Sequence, residues 1–301
     1  MALMNIQLKD LTGTIRKIGD DAFDHGNHAD VWLGEFKDPK QIPGQVAIKV
    51  IRSVFTAADV QQLNDKLLRE ARLWTTLKHA HIVPFLGITT DMGRNLAPSL
   101  VSPYYKHGSL KRYVTGNSLT HRNKMDLLCQ FANGLAYLHR CNIVHGDIKP
   151  GNILINDEGL VVLSDFGLSR VLEVSGFTTK NTPGTLRYMA PELLAGEPAP
   201  GTSSGGIRTT PAADVWAFAV TTTEIFSTKQ PYHHYSNDAG VLIYVERNNG
   251  TLKYDDYKSD IREGVWSGLV KCWQRDPGKR PSMDQMSRFL QDKRDKYARS
   301  P

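Results

Sequence analysis

"IVHGDIKPGNILINDEGLVVLSDFG", residues 143–167, decides how the rest of the chain reads. It is built on apolar residues, yet His145, Asp147, Lys149, Asn152 and Asp165 are set among them. Apolar flanks tend to bury what lies between them, and a buried charge without a partner is costly. The second half reads as a hairpin: Ile153 to Ile155, a turn at Asn156 to Gly159, then Leu160 to Leu163. Its return strand would lie about 4.8 Å from the first, so Asn152 and Asp165 meet at the open end. A carboxylate and an amide oxygen with room for water suit hard, oxygen-seeking Mg²⁺. The same two side chains would also serve to cap the hairpin by bonding turn amides. Asp147 and Lys149 stand just before the hairpin and border the same place. There an aspartate can accept a hydroxyl proton and a lysine can steady a transferring phosphoryl group.

Two charges further out need partners. Lys49 ends "VAIK" inside the apolar strand "QVAIKVI". Glu70 lies three residues past Leu67 and four before Trp74, on the apolar stripe of "VQQLNDKLLREARLWTTLKH". A lone buried charge is costly and a well-bonded pair is tolerable, so each is the other's expected partner. The alternative is that Lys49 snorkels to the surface and Glu70 sits at the edge of the stripe.

The chain changes character near residues 103–107. Before it, "GTIRKI", "ADVWLGEF", "QVAIKVI", "IVPFLGITT" and "LAPSLVSPYY" read as strands around a single helix. After it, "RNKMDLLCQFANGLAYLHR" carries a helical stripe through Leu128, Ala132, Leu135 and Leu138. "ADVWAFAVTTTEIF" is apolar nearly all round, as a helix buried on every side should be. "SGLVKCWQRD" and "SMDQMSRFLQDK" read as later helices, and "AGEPAPGTSSGGIRTTP" as a surface loop.

Bulk composition narrows the classes. Of 301 residues, 40% are hydrophobic and 23% charged, ordinary for a globular protein of one large domain or two lobes. The net charge of +6 is scattered rather than gathered in a stripe, which argues against nucleic acid as a partner. Three cysteines, Cys129, Cys141 and Cys272, lie far apart, which speaks against a disulfide framework and fits a reducing, cytoplasmic or nuclear compartment. His25 with His28, and His79 with His81, lack metal-ligand context. No stretch approaches the roughly 18 apolar residues of a membrane span, and the N-terminus is too polar for a secretory signal. A P-loop NTPase is excluded because G-x-x-x-x-G-K-[ST] occurs nowhere.

"VAIK" at 46–49, "VHGDIKPGN" at 144–152, "DFG" at 165–167 and "APE" at 190–192 together resemble the signature set of eukaryotic protein kinases. "DVWAF" at 214–218 and "KCWQRDPGKRP" at 271–281 extend the match over roughly residues 12–291. The resemblance implies an α+β bilobal protein kinase fold: a small, mainly β N-lobe over 12–102, a hinge at 103–106, a larger helical C-lobe over 107–291 and a tail at 292–301. It implies an activity too, transfer of the γ-phosphoryl group of ATP, with Mg²⁺, to a protein hydroxyl. Lys49, held by Glu70, would contact the α- and β-phosphates, Asp147 would orient or deprotonate the hydroxyl, and Lys149 would stabilise the γ-phosphate. Asn152 and Asp165 would hold Mg²⁺. Ile18, Gly26, Val31, Ala47 and Leu154 would surround the nucleotide. In the hinge "LVSPYYKHGSL", Ser102 takes the gatekeeper position. Pro103 lacks an N–H but keeps the carbonyl the family uses there, and Tyr105 keeps both backbone groups. Asp214 and Arg280 resemble the family's buried-helix anchor and the partner of Glu192. "DIKPGN" and "GTLRYMAPE", through Lys149 and Thr185, resemble serine/threonine kinases, most closely the tyrosine-kinase-like group. Flanking domains or scaffold proteins are expected partners, and no direct membrane insertion is.

The match departs from the family twice. Where the family has G-x-G-x-x-G-x-V, "DHGNHADV" puts Asp24, Gly26 and Ala29 at the glycine positions, and Asp24 and Asp30 bring negative charge towards a polyphosphate. Weakened ATP binding is the expectation. Where the family has HRD, this chain has "HGD", and Gly146 cannot pair with a phosphate on the activation segment. Phosphorylation at Ser175, Thr178, Thr179 or Thr182 is therefore not expected to be the main switch. These departures keep a second reading open, a pseudokinase or nucleotide-binding scaffold with little turnover; a small-molecule kinase of the same fold is the third.

Overall fold

The computed structural model describes residues 6–25, 29–38, 40, 44–52, 57–92, 97–166, 185–195 and 209–299. Gly26, Gly167, the four activation-segment hydroxyls and most of the low-complexity stretch lie outside the described residues. The described residues divide into two compact units between Lys106 and His107.

The first unit is an antiparallel sheet with one helix. Strands β1 (Ile15–Lys17), β3 (Ala29–Phe36), β4 (Gln45–Ile51), β6 (Ser99–Pro103) and β5 (Gly87–Thr89) neighbour one another in that order, and β2 (Asp24–His25) also pairs with β3. Because side chains alternate along a strand, register sorts them onto two faces. Val46, Ile48 and Val101 face a core that holds Leu11, Ile15, Phe36 and Met92. The rows Val31–Lys49–Leu100 and Leu33–Ala47–Ser102 lie on the opposite face. Helix α1 (Ala57–Thr76) buries Leu63, Leu67 and Ala71 completely. Its Trp74 donates from Nε1 to the Val83 carbonyl at 2.6 Å.

The second unit carries two long buried helices and a hairpin. Helix α2 (Leu110–Gly116) is followed by α3 (His121–Arg140), whose start is fixed by a reciprocal cap between Thr120 and Asn123. Leu128, Ala132, Leu135 and Leu138 are buried along its predicted stripe. Strands β7 (Ile153–Ile155) and β8 (Val161–Leu163) form the expected hairpin, turning at Asn156–Gly159. After the short α4 (Pro191–Ala195) comes α5 (Pro211–Ser227), buried at every residue from Ala213 to Ser227. Two of its three successive threonines fit there because Thr222 and Thr223 return their hydroxyls to the carbonyls of Phe218 and Ala219. Helices α6 (Asp238–Leu242), α7 (Glu263–Cys272) and α8 (Met283–Arg299) complete the unit.

Several boundaries differ from the sequence reading. Helix α1 begins at Ala57 and ends at Thr76, so Leu77 lies beyond it. Of "IVPFLGITT" only Gly87–Thr89 forms a strand, since Pro84 has no N–H for a continuous ladder. Helix α8 runs on to Arg299, past the expected end of the lobe at 291, with no Gly or Pro to stop it.

Candidate active site

The site in the second unit is organised by Asp214, on the first turn of α5 and almost fully buried. Its Oδ2 accepts from the His145 N–H at 2.8 Å and its Oδ1 from the Gly146 N–H at 2.9 Å. His139 Nε2, at the end of α3, lies 2.9 Å from Oδ2. A single carboxylate thus ties α3, α5 and the loop before the hairpin together. His145 is wholly buried, and that burial holds its imidazole below the usual histidine range despite the Asp214 charge. Gly146 has φ +81°, the left-handed region that glycine enters without strain.

Held by that anchor, the loop presents Asp147, Lys149 and Asn152 together. Asp147 Oδ2 accepts from Lys149 Nζ at 2.8 Å and from Asn152 Nδ2 at 2.7 Å. The same Asn152 nitrogen reaches the Asp147 carbonyl at 2.8 Å. Asp147 Oδ1 is buried and has no hydrogen-bond partner among the described residues. Lys149 Nζ also reaches Thr185 Oγ1 at 3.1 Å. Ser164 donates from its N–H and its hydroxyl to the Asn152 carbonyl, at 3.0 and 2.9 Å. Asp165 is the next residue, half-buried, with a left-handed backbone at φ +61°. The hairpin thus brings the Asn152 and Asp165 backbones together at its open end. Leu154 sits opposite Val162, half-buried on the side away from Ile153 and Ile155.

A second polar knot lies beyond the hairpin. Arg280, its side chain fully buried, meets Glu192 with two parallel bonds of 2.7 Å. It also donates to the carbonyls of Gln274 at 2.8 Å and Ala212 at 2.9 Å. Buried Arg187 donates to Asp238 at 2.8 Å and to three carbonyls between Pro231 and Tyr235. Tyr188 gives its hydroxyl to Glu224.

In the first unit, the residues the sequence assigns to a nucleotide collect on one face of the sheet. Val31, Ala47, Lys49 and Ser102 share it through strand register. Ile18 joins them opposite Leu33, to whose carbonyl its N–H donates at 2.8 Å. Pro103 pairs with Val46 and is followed by Tyr104 and Tyr105. Lys49 and Glu70 are both half-buried, the first in β4 and the second on α1. Asp24, opposite Val31, is on the Lys49 face. Asp30 is not, which corrects the sequence expectation. It pairs with Val50 on the other face, where His25 Nδ1 lies 2.8 Å and Arg52 Nη1 3.4 Å from its carboxylate.

Sequence reasoning did not find His139 as a partner of Asp214, nor the contact between Lys149 and Thr185. These pairs stand 75 and 36 residues apart, and no local spacing encodes them.

The β-sheet unit, the helical unit and the Asp147–Lys149–Asn152 cluster define a protein kinase domain of the bilobal fold. The family model for protein tyrosine and serine/threonine kinases matches residues 18–290, and the chain belongs to that family. It is 32% identical over 225 residues to the probable serine/threonine-protein kinase SIS8 of Arabidopsis thaliana, covering 73% of this chain and 20% of that protein. It is 28% identical over 250 residues to receptor-interacting serine/threonine-protein kinase 1 of Homo sapiens, covering 78% of this chain and 35% of that protein. A probable serine/threonine-protein kinase of Dictyostelium discoideum is 33% identical over 227 residues, covering 75% and 15% of the two chains. The match therefore spans about a third or less of the length of each of these relatives.

Proposed function

We propose that this chain is a serine/threonine protein kinase of the tyrosine-kinase-like group, transferring the γ-phosphoryl group of Mg-ATP to hydroxyls of protein substrates. The observation that carries the reading is the division of labour on Asp147. Oδ2 is held by Lys149 and Asn152, while Oδ1 is buried and unpartnered among the described residues. A buried acceptor left open asks for a donor from outside, and a substrate hydroxyl is one. Asp147 receives that hydroxyl's proton at Oδ1. The hydroxyl oxygen bonds to the γ-phosphorus as the phosphorus–bridging-oxygen bond breaks, and ADP keeps the electron pair.

The remaining residues bind and orient. Lys149 stays beside Asp147, where its ammonium offsets charge on the transferring group. Its second contact, to Thr185, supports the serine/threonine assignment, because these are the two residues on which the sequence resemblance rests. The donor set also fits a hard cation. Asn152 commits its amide nitrogen to Asp147, so its oxygen is the atom it can offer, and Asp165 adds a carboxylate. Mg²⁺ bound by these two would neutralise charge on the phosphates. Lys49, held by Glu70, would contact the α- and β-phosphates. The base would lie against Ile18, Val31, Ala47, Ser102 and Leu154, bonded to the Pro103 carbonyl and the Tyr105 backbone, with Gly26 near the phosphates. Asp24, opposite Val31, puts a carboxylate on that face where Asp30 does not, so ATP binding is weakened and not abolished.

The test is incorporation of radiolabelled phosphate from Mg-ATP into a generic protein substrate, with Asp147→Asn as control. Serine and threonine labelling that the control loses is expected. Nucleotide-dependent thermal stabilisation with no incorporation would replace the reading with a scaffold.

A further inference from the structure

The pairing of β1 and β2 with β3 is interrupted by an insertion. Ile18 lies opposite Leu33 and Asp24 opposite Val31, so Trp32 alone faces five residues, Gly19–Phe23. Gly19, at φ +79°, turns the chain out, and no atom lies within 4 Å of where its Cβ would be. The Phe23 N–H returns the chain to the ladder by donating to the Val31 carbonyl at 3.0 Å. This bulge delivers an aromatic ring that burial does not explain, since Phe23 is 50% exposed. The ring stands edge-on to Tyr104, with centroids 5.4 Å apart and planes at 82°. That is the geometry aromatic pairs favour. Tyr104 is itself pinned, its N–H donating to the Gln45 carbonyl at 3.3 Å just past the Pro103–Val46 pair.

We propose that Phe23 and Tyr104 form an aromatic clasp that fixes β2 and its neighbour β3 to the hinge strand and thereby sets nucleotide affinity. The inference rests on the nucleotide assignment given under the proposed function. Val31 faces the nucleotide from β3, while Pro103 and Tyr105 flank Tyr104, so the clasp joins the two segments that must hold one ligand. Phe23 and Tyr104 are positioning residues, as neither is assigned a contact with the nucleotide. A contact kept in both ground and transition states changes binding and leaves turnover at saturation alone.

The experiment is a double-mutant cycle on the whole chain, with Phe23→Ala, Tyr104→Ala and both together. It is read by titration with a fluorescent ATP analogue and by amide exchange over residues 19–33 without nucleotide. Each single variant is expected to weaken nucleotide binding about 5-fold, the cost of losing roughly 1 kcal/mol of edge-to-face contact. The double variant should be no worse than either single one. Exchange should quicken in the singles, while Phe23→Tyr and Tyr104→Phe, which keep the rings, should restore both readouts. Unchanged affinity and exchange in Phe23→Ala, or additive losses in the double variant, would overturn the clasp while leaving the kinase reading standing. A wild-type chain that binds no nucleotide would overturn both.

Discussion

Arg280→Leu removes the guanidinium that holds Glu192, and the structure sets the size of the loss. The arginine side chain is fully buried and the glutamate side chain is 21% exposed. Breaking a buried ion pair from one side costs about 3–5 kcal/mol, because the remaining charge is stranded. Water reaches part of Glu192, which places the loss near 3 kcal/mol even with the carbonyls of Gln274 and Ala212 also losing a donor. Urea unfolding can be followed through tryptophan fluorescence, since the Arg280 guanidinium lies 5.2 Å from the Trp216 ring centre. With a slope of about 3 kcal/mol per molar urea, the midpoint should fall by about 1 M. Adding Glu192→Leu removes the stranded carboxylate and should recover at least about 1 kcal/mol of that loss. A single variant losing under about 1 kcal/mol, or a double variant no more stable than the single, would refute the reasoning.

Gly146→Ala must hold a side chain at φ +81° and should cost about 1–2 kcal/mol in urea unfolding; an arginine installed there to restore HRD would carry the same cost. His121 packs against the rings of Phe226 and Tyr297, and neither of its ring nitrogens has a hydrogen-bond partner among the described residues. Burial first, then the charges of Arg262 and Lys124, depress its pKa, so the unfolded chain takes up the proton more readily. Stability should therefore fall as pH drops below about 6.5. His121→Phe should flatten that fall in unfolding measured at pH 5.5 and 8, and a slope identical to wild type would contradict it. A disulfide reagent at pH 8 should label exposed Cys141 quickly and spare Cys129 and Cys272, whose thiols burial pushes up to about 11 and about 12. Rapid labelling of all three in the folded chain would show that the two buried sites open readily.

What the sequence determines by itself is local or periodic. The hairpin at 153–163, the stripe of α3 and the all-round burial of α5 follow from residue spacing, because side-chain direction repeats along a strand or helix. The cluster of Asp147, Lys149 and Asn152 is legible for the same reason, its members lying within six positions. Tertiary structure decided what pairs at long range. Asp214 takes His139 as well as the loop amides, Lys149 reaches Thr185, and β-sheet register turns Asp30 away from the face that carries Lys49. Register and long-range contacts depend on which elements pack together, and that is settled by burial over the whole fold rather than by any run of neighbouring residues.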